Sequence, residues 1–215
     1  MFDFSKIEDF DSHINQSIPN YSSLFAIFKS IAEHYAQPYS HVVDLGCSTG
    51  SFLHQLNKNK DTHYHGIDVV DFKNRKKGFQ FHKGDVYDHL MSISSKIGHT
   101  SVLISMFTLQ FLGRTKRQRI LPLIQEVIDK GAILLIAEKV YLNDPILQML
   151  VHRQHIQEKR KHFTDKEILD KDIELSNSMF CKNESLLEQE LNGLGFKTKV
   201  WQSYNFMAYT VQGRL

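Results

Sequence analysis

Short apolar runs alternate with segments of helical periodicity along the first two thirds of the chain. The helical segments are 21–36, where the stripe is Leu24, Ile27, Phe28, Ile31 and Ala32, then 51–56 and 116–129. The strand-like runs are 41–46, 64–70, 79–85, 101–106 and 132–138. This alternation predicts parallel strands joined by right-handed helical crossovers, in an open, doubly wound sheet with helices on both faces.

The pattern changes after residue 144. Residues 144–195 are charged and helix-prone, whereas 197–204 and 205–211 predict a closing antiparallel hairpin. Residues 1–36 form a helical lead, in which Tyr21-Ser22-Ser23 is expected to cap the helix through Ala36. We therefore predict one α/β domain over 1–215: a mostly parallel, Rossmann-like sheet of the class I methyltransferase layout, with a C-terminal hairpin and a helical insertion at 144–195.

Composition describes an ordinary water-soluble globular protein. Hydrophobic residues make up 41% and charged residues 23% of the 215 residues, which excludes disordered, collagenous and disulfide-scaffold classes. No apolar run approaches the roughly 18 residues that span a bilayer, and the acidic N-terminus does not resemble a signal peptide. We expect a cytoplasmic protein without membrane contact, with its prolines at element edges.

Net charge is +2, although basic residues cluster at 73–77, 114–119 and 159–162. Acidic residues dilute each cluster, so solvated faces are favoured and direct nucleic-acid binding is not expected.

The sequence D-L-G-C-S-T-G at 44–50 lies between the first predicted strand and a helix. Gly46 and Gly50 allow a sharp turn and a close approach of a ligand to the backbone, and Asp44 at the strand tip is suited to a ligand ammonium. The G-x-x-x-G spacing differs from the dinucleotide pattern, and the lysine of a phosphate-binding loop is missing.

Acidic residues also follow the next two predicted strands. Asp68 is placed to accept hydrogen bonds from two ribose hydroxyls, with Val69 beside it, and Asp85 is placed to hold an adenine amino group next to the Val86 backbone. Because the carboxyl ends of parallel strands share one sheet edge, these carboxylates predict an adenosyl-ligand site there.

Cysteine and histidine give weaker signals. Cys47 lies inside the Gly turn, but the sequence fixes no base near it, so a nucleophilic role is not favoured. His152 and His155 are three residues apart, and His63 and His65 alternate on a strand, without a third ligand in view. No metal site is expected.

Several segments resemble the carboxy-S-adenosylmethionine synthases, a family of the class I methyltransferase fold. They are F-D-S-H-I-N-Q-S-I-P-N-Y-S (10–22), D-L-G-C-S-T-G (44–50), F-T-L-Q-F-L (107–112), A-E-K (137–139), F-T-D-K-E-I (163–168) and W-Q-S-Y-N-F (201–206). The resemblance covers most of the chain. It implies use of S-adenosylmethionine and prephenate, with transfer of the prephenate carboxyl group to the sulfonium methyl carbon. The product serves wobble-uridine modification in tRNA.

Carried over by position, the resemblance assigns adenosyl-ligand contacts to Tyr21, Gly46, Cys47, Ser48, Asp68 and Asp85. Two family contacts are replaced. Met106 stands where the family has an asparagine, and Asp172 falls at the arginine that clamps the ligand's extra carboxylate. An aspartate there would repel a carboxylate that an arginine binds through two hydrogen bonds.

Three functions remain open. The reversed charge favours an S-adenosylmethionine-dependent methyltransferase acting on an unidentified small molecule, with Asp172, Glu138 or Tyr21 as catalytic candidates. The second is the synthase reaction, with Lys159, Arg160 or Lys161 replacing the arginine, since Lys171 is expected to point about 100° away from Asp172. The third is a non-catalytic adenosyl-ligand module. The family also implies a homodimer, for which residues 144–182 are the candidate surface.

Overall fold

A computed structural model describes residues 9–98 and 101–214. The strands are β1 His41–Leu45, β2 His63–Asp68, β3 Gln80–Lys83, β4 Val102–Met106, β5 Ile133–Tyr141, β6 Lys182–Asn183, β7 Phe196–Ser203 and β8 Phe206–Gln212. The helices are α1 Phe10–Ser17, α2 Tyr21–Tyr35, α3 Ser51–Gln55, α4 Val86–Ile93, α5 Arg114–Asp129, α6 Pro145–Lys159, α7 Asp165–Ser176 and α8 Glu184–Leu194. None of the helices in these ranges combines the length and apolar character needed to cross a bilayer.

The strands form one sheet in the order β3-β2-β1-β4-β5-β8-β7. The first five strands are parallel, whereas β8 runs antiparallel to both β5 and β7. This arrangement confirms the predicted mostly parallel sheet and its C-terminal hairpin. The helical segment 144–195 contains a strand that the sequence did not predict, the two-residue β6, which pairs with the end of β5.

Helices cover both faces of the sheet because adjacent strand residues point to opposite sides. Val43 faces a core that contains Leu90 of α4, Ile124 of α5 and Leu187 of α8. The neighbouring Val42 faces a second core, to which α2 and α3 contribute side chains from outside the sheet. The apolar runs of the parallel strands are therefore buried on both sides, as doubly wound sheets require.

Two local expectations were wrong. Pro122 lies inside α5 rather than at an element edge, so the helix forgoes one backbone hydrogen bond there. The residue that caps α2 is Asn20, in a left-handed conformation with φ 61° and without a side-chain cap. Ser23 instead donates to the Asn20 carbonyl at 3.0 Å and accepts from Trp201 Nε1 at 2.8 Å, which ties the start of α2 to β7.

Candidate active site

A cavity of about 1640 Å³ opens at the carboxyl ends of β1, β2 and β4. It lies where the strand order reverses between β1 and β4, the usual ligand position in open α/β sheets. Its lining comes from the Gly turn, α1, α2, the loops after β2, β3 and β4, and side chains of α6 and α7. Ordinary ligand pockets measure roughly 300–1,000 Å³, so this cavity has room for two small molecules.

Residues 44–50 turn sharply at the floor of the cavity. The backbone N–H groups of Gly46 and Cys47 both donate to the Ile67 carbonyl, at 2.8 and 3.0 Å. Gly46 has φ +78°, and a Cβ atom there would lie 2.3 Å from Thr108 Oγ1. Only glycine fits, because any side chain would collide with the loop that follows β4.

Asp68 ends β2 and fixes the conformation of this turn. One carboxylate oxygen accepts from the Ser48 N–H at 2.8 Å and the other from the Val70 N–H at 2.9 Å. Burial raises the pKa of Asp68, although these backbone donors oppose the shift. The Val69 N–H also contributes to this effect, and Val69, 60% exposed, lies beside Asp68 in the cavity wall.

Asp44 is buried in the wall of the cavity, with 3% of its surface exposed. Within the described ranges, no group donates a hydrogen bond to its carboxylate. Burial, followed by the nearby Asp68 charge, raises the pKa of Asp44 to about 8. An ammonium group in the cavity would supply the opposite charge that this carboxylate needs to ionise.

Asp85 and Val86 stand where β3 leads into α4, and both line the cavity. The Asp85 carboxylate caps α4 by accepting from the Tyr87 N–H at 2.9 Å, and it pairs with Lys116 at 2.6 Å. Although burial opposes the change, these contacts lower the pKa of Asp85. The carboxylate is therefore ionised and already has two partners.

Tyr21, Cys47 and Met106 also line the cavity. Burial, reinforced by Asp44 and Asp11, raises the pKa of Tyr21, so its hydroxyl stays protonated and is suited to donate a hydrogen bond rather than act as a base. That hydroxyl lies 4.0 Å from the Met106 sulfur. Burial and the Asp44 charge raise the pKa of the Cys47 thiol, which disfavours the nucleophilic thiolate.

Helix α1 covers the Gly turn. Asp11 accepts a hydrogen bond from the Thr49 hydroxyl at 2.7 Å, and the rings of Phe10 and Phe72 lie 5.5 Å apart. Asp11 and Phe72 were not predicted as site residues. The segment that contains Asp11 was noticed only for its family resemblance, because nothing in its local pattern indicates what it packs against.

Two lysines of the helical segment reach the same cavity. Lys159, the last residue of α6, and Lys171 of α7 both line it, together with His13 of α1. Burial lowers the pKa of each lysine to about 8, with Lys139 contributing at Lys159 and Lys159 contributing at Lys171. Lys171 donates to His13 Nε2. Burial and both lysines lower the pKa of His13 to about 4, which keeps the ring neutral.

Both proposed catalytic carboxylates, Glu138 and Asp172, lie away from the cavity lining. Glu138 is fully buried in an ion pair with Arg117, whose Nη1 lies 2.7 Å from Glu138 Oε1, and Arg117 also pairs with Glu190. Asp172 is exposed on α7, because the helix turns the neighbouring Lys171 toward the cavity instead. The geometry therefore gives no support to a catalytic role for either carboxylate.

Comparison with known proteins agrees with this architecture. The model of the FtsJ-like methyltransferase family matches residues 24–179. A protein from Idiomarina loihiensis named carboxy-S-adenosyl-L-methionine synthase is 30% identical over 220 residues, which cover 96% of this chain and 90% of the relative. The chain belongs to both families. A synthase of the same name from Aliivibrio fischeri is 28% identical over 95% of this chain and 89% of its own length.

Solved structures show the same fold at low sequence identity. The plantazolicin methyltransferase BamL, in complex with a triazolic desmethylPZN analog and SAH, has a TM-score of 0.63 and 10% identity, with 98% of this chain and 93% of that chain covered. An Archaeoglobus fulgidus SAM-dependent methyltransferase has a TM-score of 0.57 and 12% identity, over 94% of this chain and 99% of that chain. The expected class I fold is confirmed. The expectations of an S-adenosylmethionine-dependent transferase and of S-adenosylmethionine as its cofactor are also confirmed.

Proposed function

We propose that this family member carries out the carboxy-S-adenosylmethionine synthase reaction, with Lys159 and Lys171 holding the carboxylate group that the reaction transfers. The observation that carries the proposal is the entry of two ammonium groups into the cavity that contains the Gly turn. The relatives from Idiomarina loihiensis and Aliivibrio fischeri are named for this activity, and this chain matches 90% and 89% of their lengths. Prephenate, the co-substrate that the family resemblance implies, is itself an anion.

The electrostatics of the two lysines favour an anionic ligand. Lys159 forms no ion pair with a carboxylate in the described ranges, although the Asp172 charge partly offsets the lowering of its pKa by burial and by Lys139. The Lys159 charge in turn lowers the pKa of Lys171. Two ammonium groups that enter one partly desolvated cavity create a positive potential that attracts an anion. A carboxylate between them would raise the pKa of both lysines, because an opposite charge favours the ammonium form.

The replacement of the family arginine by Asp172 does not oppose this reading. Asp172 would repel the carboxylate at close range only if its side chain faced the ligand, whereas Lys171 lines the cavity and Asp172 is exposed. A lysine offers a point charge rather than the planar fork of arginine. Two lysines from different helices are therefore expected to replace one arginine at lower geometric precision.

The rest of the cavity suits S-adenosylmethionine. We assign Asp44 to the ligand ammonium, Asp68 to the ribose hydroxyls, and Asp85 with the Val86 backbone to the adenine edge. Gly46, Cys47, Ser48 and Gly50 form the turn beneath the ligand. Tyr21 supplies a hydroxyl donor, and Met106 and Val69 form apolar parts of the cavity wall. When bound, S-adenosylmethionine supplies an electron-poor methyl carbon; the residues here bind it, orient it and exclude water.

The experiment is mass spectrometry of the sulfonium products after incubation with S-adenosylmethionine, with and without prephenate. We expect a carboxylated sulfonium only when prephenate is present. S-adenosylhomocysteine without that product would support methyl transfer to another acceptor, the reading that the sequence favoured. Tight adenosyl-ligand binding without turnover would support the non-catalytic module.

Matched variants test the role of the lysines. Lys159→Gln and Lys171→Gln should each raise the KM for prephenate roughly 5- to 150-fold, since a lost charged hydrogen bond costs about 1–3 kcal/mol. Lys166→Gln is the control, because Lys166 lies on the same helix as Lys171 but pairs with Asp170 at the surface. Equal kinetics in all three variants would contradict the assignment.

We also propose that the protein forms a homodimer through α6 and α7. Large apolar side chains are exposed along these helices, among them Ile146 at 64%, Leu150 at 50%, Leu169 at 59% and Ile173 at 55%. Exposed apolar groups at this density favour burial against a second surface, and the family resemblance implies a second copy. Light scattering of the purified protein tests the assembly.

A further inference from the structure

Five histidines lie close together on the sheet face that is covered by α4, outside the cavity described above. His41 begins β1, His63 and His65 belong to β2, His82 belongs to β3, and His89 belongs to α4. None of these five lines the cavity. The strand register brings them together, since His41 pairs with His63 in the sheet and His65 lies two residues farther along β2 on the same face.

The ring nitrogens of three of these histidines converge. His65 Nδ1 lies 3.2 Å from His82 Nε2, and the rings of His82 and His89 stack with centroids 3.7 Å apart. One ring nitrogen from each of His65, His82 and His89 lies within 4.8 Å of the other two. His89 Nε2 is buried and has no hydrogen-bond partner, although buried polar atoms normally have one.

We propose that His65, His82 and His89 bind one divalent transition-metal ion of the class that prefers imidazole, with Zn²⁺ as the representative. Zinc–nitrogen bonds of about 2.0–2.1 Å in tetrahedral geometry hold two ligand nitrogens about 3.3 Å apart. The distance of 3.2 Å between His65 Nδ1 and His82 Nε2 is close to this value. His89 supplies the third nitrogen after its side chain rotates toward the ion, and its unpartnered Nε2 gains a partner.

His41 completes the arrangement as a positioning residue. Its Nδ1 lies 3.1 Å from His65 Nε2. When His65 Nδ1 binds the metal, the single proton of the neutral ring resides on Nε2 and is donated to His41 Nδ1. A ligating histidine that donates its second nitrogen in this way is held in the correct tautomer and orientation.

The protonation states agree with this arrangement. Burial, with further contributions from neighbouring histidines, lowers the pKa of His65 to about 4. Burial also lowers the pKa of His82 and of His89. At neutral pH the three rings are therefore largely free of the second proton that would compete with a metal ion.

The ion would join α4 to two strands, β2 and β3, that already pair through their backbones at this point. It would connect β2 and the edge strand β3 to α4, whose first residue, Val86, lines the active-site cavity. Binding to the folded state alone stabilises it in proportion to the logarithm of metal concentration. Occupancy of the histidine site is therefore expected to stabilise this side of the cavity.

The test is a Co²⁺ titration of protein without a histidine tag, after dialysis against a chelator. We expect one Co²⁺ per chain, with the visible absorption of tetrahedral coordination, and its displacement by one equivalent of Zn²⁺. The double variant His82→Gln/His89→Gln should lose this absorption. His41→Gln should retain it with roughly 10- to 100-fold weaker affinity.

Two controls separate this site from adventitious binding and from misfolding. His152→Gln removes a helix-surface histidine of α6 and should bind Co²⁺ as the unmodified protein does. Circular dichroism checks the fold of each variant, and the single variant His82→Gln replaces the double variant if the latter does not fold. The proposal is overturned if the unmodified protein takes up no Co²⁺ at micromolar concentrations, or if uptake is equal in the His82 variants.

Discussion

Replacement of Glu138 by glutamine distinguishes a structural carboxylate from a catalytic one. Glu138 is fully buried, 2.7 Å from Arg117, and Arg117 is 4% exposed. Burial raises the pKa of Glu138, and the Arg117 guanidinium opposes that shift. The variant Glu138→Gln keeps the shape of the side chain but removes its charge, so Arg117 retains only one charged partner, Glu190.

The expected loss of stability follows from this geometry. Breaking a buried ion pair costs about 3–5 kcal/mol when it leaves an uncompensated charge. Because Glu190 still pairs with Arg117, we expect the lower end of that range, about 3 kcal/mol. For a chain of this size each kcal/mol lowers Tm by roughly 2–4 °C, which predicts a decrease of roughly 6–12 °C.

Thermal unfolding by circular dichroism measures the stability, and calorimetry measures affinity for S-adenosylmethionine. Affinity should stay near that of the unmodified protein at a temperature where both are folded, because Glu138 does not line the cavity. The control Glu126→Gln removes an exposed pair with Lys130 and should cost less than about 1 kcal/mol. An unchanged Tm together with a loss of turnover would refute the structural role and restore the catalytic one.

Three further predictions concern the ligands and the assembly. Asp68→Ala should weaken S-adenosylmethionine binding by about 1–3 kcal/mol in calorimetry, whereas the exposed Asp71→Ala should not. Burial lowers the pKa of Lys159 and Lys171 to about 8, so both are charged below that pH; prephenate affinity should be constant there and fall as pH rises above it. Ile173→Glu should shift light scattering toward the monomer, and an unchanged mass would contradict the proposed dimer surface.

The floor of the cavity was predictable because its determinants are local. A strand, a turn that needs glycine and a helix follow one another directly between His41 and Gln55, so their order along the chain is also their order in space. Asp68 and Asp85 follow the same logic, since parallel strands bring their carboxyl ends to one edge. Asp44, Gly46, Asp68 and Asp85 all line the cavity that the structure forms, whereas Gly50 of the predicted turn does not.

The cationic part of the cavity was not predictable from one position. An ungapped comparison places Asp172 at the family arginine, yet one residue along a helix rotates the side chain by about 100°. That rotation separates an exposed carboxylate from a lysine in the cavity. Contacts between α7 and α1 hold Lys171, rather than Asp172, on the cavity side of α7. One of them joins Lys171 to His13, two residues that are 158 positions apart in sequence.

The histidine cluster illustrates the same limit. Spacing along the chain drew attention to His152 and His155, which share one helix. His155 in fact donates to the Ser17 carbonyl at 2.9 Å, so its ring holds α6 against α1. His65 and His82 come from different strands, and His89 comes from the helix that follows. The sheet register and the packing of α4 on the sheet together bring their nitrogens close.

Helix α1 connects the two functional parts of the cavity. Asp11 binds Thr49 of the Gly turn, and two residues later His13 accepts a hydrogen bond from Lys171. A single eight-residue helix therefore contacts both the Gly turn and one of the two lysines. In the proposed synthase reaction, we expect the position of the carboxylate relative to the methyl group to depend on α1 as well as on the lysines.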